Sequence, residues 1–175
     1  VVTTNGNDDD GTLQFNGAAT ATGDIGANNN NKLLLIKANG AGIVNLKGEV
    51  KATTLEVANA GADVQIDGKF TGNTKFSAAG GSVKFSNTVT GDVDFITHKG
   101  TVEIVNGQTL TGDITSTGAG EATGTLKFTG AGGSKVTGAI GAGNALEKII
   151  VETTNADAVS IGGANAVKAQ TLEIS

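Results

Sequence analysis

At 175 residues the chain has room for one folded unit, and it carries a formal charge of −5 with an isoelectric point near 4.8. With no Cys it can form neither a disulfide nor a Cys-based zinc site. Scattered lysines and the absence of Trp and Tyr argue against nucleic-acid binding and against attraction to an anionic bilayer.

Residues 1–11 read as an acidic, flexible lead-in, and residues 12–175 as a single solenoid segment of a longer protein. The lack of Met, even at position 1, marks a processed or excised piece, and no signal peptide or membrane-spanning apolar run is visible. The stretch Asn5-Gly6-Asn7-Asp8-Asp9-Asp10-Gly11 has some character of a calcium loop. With Gly11 as the loop glycine, however, the twelfth position is Gly17 rather than the required bidentate acid. A weak surface calcium contact is the most it offers, and no cofactor is expected.

From Leu13 onward one five-residue pattern recurs: aliphatic, any, large apolar, any, then Gly or Asn. Copies begin at Leu13, Val44, Val64, Val83, Val102, Leu126 and Val159. Their third positions are Phe15, Leu46, Ile66, Phe85, Ile104, Phe128 and Ile161, and their fifth are Gly17, Gly48, Gly68, Asn87, Asn106, Gly130 and Gly163. Alternation places the first and third residues on one dry face and the mostly polar residues between them on the wet face. Gly and Asn visit positive φ at least cost, which predicts a left-handed corner after each strand.

The inner copies are spaced 20, 19 and 19 residues apart (44 to 64 to 83 to 102). A fixed period near 20 residues is the mark of a solenoid, and longer intervals are read as loop insertions. A second apolar pair follows each first one, as at Leu55 and Val57, Val93 and Phe95, and Leu172 and Ile174. A Thr-Gly-x-apolar turn lies between the pairs: Thr22–Ile25, Thr90–Val93, Thr111–Ile114, Thr137–Ile140 and, degenerate, Thr71–Thr74. The predicted fold is therefore all-β: a right-handed parallel β-helix of about seven coils, each of roughly 19–21 residues. Equivalent strands stack in parallel about 4.8 Å apart. No chain segment reads as a long amphipathic helix; Ala145–Val151 is the best short candidate and suits a strand at least as well.

Chemistry is sparsely written. His98, the single histidine, reads as a turn residue, since no second His and no Cys complete a site. Asp24, Asp92 and Asp113 recur in the Thr-Gly-Asp turn and could stack as a calcium ladder or an acid pair. Because Asn73 and Ala139 occupy the same place, local turn bonding by each Asp to its own backbone is preferred. Asn28–Asn31 reads as a solvated loop. Gly118-Ala119-Gly120 and Gly130–Gly133 lack the Lys-Ser/Thr that follows a phosphate loop. No regular outward array of Thr is expected. Catalytic, cofactor-binding and metal residues are therefore assigned to none.

The stretches Gly124-Thr125-Leu126-Lys127-Phe128-Thr129-Gly130 and Val136-Thr137-Gly138-Ala139-Ile140-Gly141, the first half echoed at Gly11–Gly17, together with the Asn/Thr/Ala/Gly bias, resemble the passenger region of rickettsial surface cell antigens. Within them, the style of the outer membrane protein B group is nearest. The resemblance implies an autotransporter passenger on the bacterial surface, acting as coat, stalk or adhesin, and carries over no catalytic motif. The expected role is thus a non-enzymatic surface segment, contacting a host-cell protein or glycan and neighbouring passenger segments, with no nucleic acid and no membrane insertion. Recognition is assigned to outward loops at Asp24–Lys32, Gly112–Gly124 and Gly141–Asp157. Two alternatives stand beside it: a carbohydrate-active β-helix enzyme, and a subunit of a self-assembling filament whose open strand edges stack head to tail.

Overall fold

The computed structural model describes residues 10–26, 32–118, 120, 122–154, 157–163 and 165–175. The acidic stretch before Asp10 and the Asn28–Asn31 run lie outside them. The described chain is a parallel β-helix, with every strand pairing parallel and no helix among the described residues. The first strand takes in Asp10 and Gly11, which the sequence places in the lead-in.

Successive strands alternate between two sheets. Sheet one holds β1 (Asp10–Phe15), β3 (Leu33–Ala38), β5 (Val50–Val57), β7 (Phe70–Phe76), β9 (Val89–Thr90), β12 (Thr109–Thr111) and β15 (Lys135–Val136), with β10 (Val93–Asp94) and β13 (Ile114–Thr115) alongside. Sheet two holds β2 (Ala19–Ala21), β4 (Gly42–Leu46), β6 (Ala62–Ile66), β8 (Ser82–Phe85), β11 (Thr101–Val105), β14 (Thr125–Gly130), β16 (Leu146–Thr153) and β17 (Ala169–Ile174). Its eight strands are separated by seven turns of the solenoid. The candidate helix at Ala145–Val151 is strand β16.

The core is a set of apolar columns running along the axis. In sheet two one column is Ala19, Val44, Val64, Val83, Val102, Leu126, Ile149 and Leu172; the next is Ala21, Leu46, Ile66, Phe85, Ile104, Phe128, Val151 and Ile174. In sheet one Leu13, Ile36, Leu55, Thr74, Val93 and Ile114 stack in register. Phe rings pair within the core, with Phe70 stacked on Phe85 at 5.6 Å and Phe76 on Phe95 at 4.8 Å between centroids. Each column buries its side chains against the coil above and below, so the stack has no centre to lose.

Two of the seven copies fall in the other sheet. Leu13 pairs with Ile36 in sheet one, not with Val44, and Ser160, between Val159 and Ile161, bridges to Lys135 in sheet one. The intervals of 31 (13 to 44) and 33 (126 to 159) are thus one and a half coils rather than coils with loops. Both sheets use the same alternation, so the pattern alone does not distinguish them. For the same reason Leu172 and Ile174 belong to sheet two, unlike Leu55 and Val93. Ile25 bridges to Val50, so its Thr-Gly-Asp turn is half a face out of step with those at Asp92 and Asp113.

The corners also differ from expectation. Of the seven fifth-position residues, Asn106, Gly130 and Gly163 have positive φ. At Gly48 and Gly68 the need is space: a Cβ on Gly68 would overlap the Gly48 carbonyl oxygen, and one on Gly48 would sit 2.6 Å from Asp24 Oδ1. Positive φ also occurs in three of the Thr-Gly-x turns, at Gly72 (147°), Gly91 (134°) and Gly112 (149°), which stack on one another. Beside them Thr71, Thr90 and Thr111 form one short outward row in register.

Outward columns alternate in charge. Sheet one carries Lys37, Glu56, Lys75 and Asp94 in successive coils, and sheet two Lys84, Glu103 and Lys127. Lys37 Nζ lies 3.5 Å from Glu56. Opposite charges directly across neighbouring strands stabilise by a few tenths of a kcal/mol each, up to about 1.

Candidate functional site

The outward corner of sheet one gathers the polar residues singled out by the sequence. A shallow groove of about 340 Å³ opens there, lined by Thr54, Asn73, Lys75, Asp92, Asp94 and Thr117 among others. The Thr-Gly-x turn bends sheet one at this point, which splits the continuous β7 into β9 and β10, then β12 and β13. Where the backbone turns outward, its amides leave the regular ladder and need another acceptor.

Asx side chains from the preceding coil supply it. Asp92 N donates to Asn73 Oδ1 at 2.9 Å, Asp113 N to Asp92 Oδ1 at 2.8 Å, and Ala139 N to Asp113 Oδ1 at 2.7 Å. The relay starts at an Asn and ends at an Ala, so the two residues that break the Asp pattern are its termini. Glu49 N donates to Asp24 Oδ1 at 2.8 Å, the same device half a face away. The expected bond from each Asp to its own turn is therefore replaced by a bond to the next coil. Asp92 and Asp113 do stack, but through an intervening amide.

The sequence reading passes over Asp94 and gives Asn106 only its corner role. Asp94 Oδ1 accepts from Ile96 N at 2.8 Å and Thr117 N at 3.1 Å, and its Oδ2 accepts from Thr117 Oγ1 at 2.6 Å. Asn106 Oδ1 accepts from Ala131 N at 3.2 Å. The recoverable signal is an Asx at a corner with a coil-length gap to the next turn. Ile96 holds φ at 55°, an unusual conformation for a β-branched residue; the bond from Ile96 N to Asp94 Oδ1 and the bond from Ser116 Oγ to Ile96 O (2.7 Å) brace it.

His98 stands apart from this corner. It is half-buried and closes the turn after β10 through His98 N to Phe95 O, 2.8 Å. Among the described residues no group of three or more His, Asp or Glu side chains is placed to hold a metal ion.

Two of the three assigned recognition loops carry framework among the described residues. Gly141–Asp157 contains β16, with Leu146 and Ile149 in the core. Gly112–Gly124 contains β13 and the buried Ser116 and Thr123, whose hydroxyls lie 2.7 Å apart. In Asp24–Lys32, Ile25 and Gly26 are buried, and residues 27–31 lie outside the described set. In Gly141–Asp157 a strand of the next half-coil fills what the sequence suggests is a loop.

On sheet two, Lys127 Nζ lies 2.8 Å from Glu152 Oε2. The hydrogen bond to Glu152 holds the ammonium above its ordinary pKa, against the opposing effect of partial burial; the charges of Glu152, Glu103 and Glu173 add to it. Thr129 Oγ1, two residues on, donates to Glu103 Oε1 of the preceding coil, and Lys148 pairs with Glu173. The sheet surface is thus laced coil to coil by its own side chains. Against known protein families, curated proteins and solved structures, the chain finds no match.

Proposed function

We propose that the chain is a non-enzymatic rod segment of a bacterial surface protein, an autotransporter passenger in kind, serving as coat and stalk and attaching to a host-cell protein or glycan. One observation carries the non-catalytic part. The carboxylates that could have formed an acid pair, Asp92, Asp94 and Asp113, each have an oxygen engaged by a backbone amide of the next coil. A glycoside-cleaving pair needs one carboxyl free to give its proton and another free to attack or activate water; these are bound as structural acceptors. The surface assignment rests on the Gly-Thr-Leu-x-Phe-x-Gly idiom and the Asn/Thr/Ala/Gly bias. With framework in Gly112–Gly124 and a strand in Gly141–Asp157, the attachment surface in this reading is the outward polar face, above all the groove beside Lys75 and Asp94.

The test is binding of the labelled 175-residue protein to cultured host-type cells, with an unrelated acidic β-solenoid as control. Saturable binding above the control, reduced several-fold by Lys75→Glu with the fold intact, is the expected result. Binding no better than the control leaves the segment a coat or spacer and removes adhesion from it.

A further inference from the structure

Resting on the attachment reading above, and naming the ligand class for the same groove, we infer that the groove on sheet one binds a carboxylated sugar unit, a sialic or uronic acid. The sugar carboxylate sits on Lys75 and the hydroxyls on Asn73, Asp92 and Thr54, all of which line the groove. It crosses β5, β7, β10 and β13 in the middle of the rod, with β3 on one side and the bridge from Ile114 to Ile140 on the other.

Lys75 is a cation left without an anion. Its neighbours in register are Glu56 and Asp94, one coil to either side. Each is engaged elsewhere. Glu56 holds Lys37 Nζ on Oε2 and Ser77 Oγ on Oε1. Asp94 accepts from Ile96 N and Thr117 N on Oδ1 and from Thr117 Oγ1 on Oδ2. Exposed between two carboxylates, Lys75 Nζ still has neither an ion pair nor a hydrogen bond among the described residues. Lys37 and Lys127, in the same kind of outward row, each hold a Glu. Three more groups of the groove have no protein partner among the described residues. They are Thr54 Oγ1, Asn73 Nδ2, whose Oδ1 takes Asp92 N, and Asp92 Oδ2, whose Oδ1 takes Asp113 N.

These groups define the ligand. A single ammonium calls for one negative charge, and the carboxylates of Asp92 and Asp94 repel a dianion such as phosphate. Asp92 Oδ2 only accepts, so the ligand must bring it an O–H or N–H. Asn73 Nδ2 only donates, and Thr54 Oγ1 does both. One negative charge beside several hydroxyls, each able to donate and accept, is the chemistry of a carboxylated sugar. The charge-assisted bond to Lys75 is the strong contact, and the hydroxyls fix the orientation. A volume of about 340 Å³ stands at the lower end of small-ligand clefts, about 300–1,000 Å³, and suits a single sugar unit. With no Trp or Tyr in the chain, neither ring type is present to stack on the sugar, and binding is weak and polar.

The experiment titrates the isotope-labelled 175-residue protein, without cells, and follows the backbone amide shifts of Asn73, Asp92 and Asp94. The probes are the methyl glycosides of N-acetylneuraminic acid and of glucuronic acid, neutral methyl glucoside, and the α-amide of N-acetylglutamate, a carboxylate without hydroxyls. At least one acid sugar should shift these amides saturably and bind about tenfold tighter than methyl glucoside, the effect of one hydrogen bond to a charged group. Lys75→Gln should remove that tenfold with the thermal melt unchanged, and Lys75→Arg should keep most of it. Binding of the sialoside alone assigns the groove to sialylated glycans, and of the uronide alone to uronate-containing chains; either result supports the inference. No saturable shift with either acid sugar overturns it. So does undiminished binding by Lys75→Gln, or equal binding of the glutamate amide, which would point to an acidic peptide. Cell attachment that survives a negative titration removes the sugar assignment alone, whereas a positive titration without cell attachment removes only the attachment reading.

Discussion

Thr74 stands in a column otherwise filled by Leu55, Val93 and Ile114, is 1% exposed, and its Oγ1 has no hydrogen-bond partner. Leaving a hydroxyl buried and unpaired costs about 1–3 kcal/mol. Valine has the same shape with a methyl in place of the hydroxyl, so Thr74→Val removes that penalty without opening a cavity. Allowing for a partly compact unfolded chain, a gain of about 1–2 kcal/mol is expected. Urea unfolding followed by far-ultraviolet circular dichroism measures it, as a rise in midpoint with the slope unchanged. The reciprocal change is Val93→Thr, one coil on in the same column and fully buried. It should cost a similar amount. A lower midpoint for Thr74→Val would mean that the hydroxyl makes a bond worth keeping, and a neutral Val93→Thr would mean that the column tolerates polarity; either result refutes the reasoning.

Asp92→Ala should destabilise by about 1–2 kcal/mol, since Asp113 N loses its acceptor, while Asp92→Asn should be nearly neutral because Asn73 already fills the same role; thermal melts of the two variants separate them. Gly68→Ala should cost about 1–3 kcal/mol, because its Cβ would overlap the backbone oxygen of Gly48, and a wild-type melting temperature would show that the corner opens freely. Lys127 has a folded pKa above its ordinary 10.5, so its contribution is fully present below that value and is lost as pH rises through the folded pKa. The pair is 30% and 43% exposed at its side chains, which limits it to at most about 1 kcal/mol; Glu152→Gln should remove the alkaline loss, as read from unfolding midpoints between neutral and strongly alkaline pH.

The solenoid is legible because its interior demands so little: two apolar residues per strand, alternating with polar ones, and a corner tolerant of nothing bulky. Val44, Val64, Val83 and Val102 keep a clean period, Leu126 follows after a longer interval, and all five stand in one column. Leu13 and Val159 carry the same signature into the other sheet, because an apolar-x-apolar-x-Gly segment packs equally well on either wall of a narrow core. The half-coil hidden in the 31- and 33-residue intervals is the missing clue. Gly48 and Gly68 show a second limit: the sequence reports that a side chain is excluded, not whether torsion or a neighbouring carbonyl excludes it. The corner chemistry is half legible. Asp92 and Asp113 visibly repeat, but the acceptor role needs the amide of the next coil, which no local pattern displays. Asp94 and the acceptor role of Asn106 escape notice for the same reason.

The alternating outward charges have a consequence for fidelity. Backbone and apolar columns are nearly the same in every coil, so a chain that skipped one coil while winding would still find a well-formed edge and a greasy wall. The charge rows repeat only every second coil. A skip of one would set Lys37 against Lys75, Glu56 against Asp94 and Lys84 against Lys127. Like charges directly opposed are repelled, and the error would be signalled on both walls at once. The rows thus serve as a parity check on winding, separating an odd miscount from correct stacking where the core alone is blind to the difference.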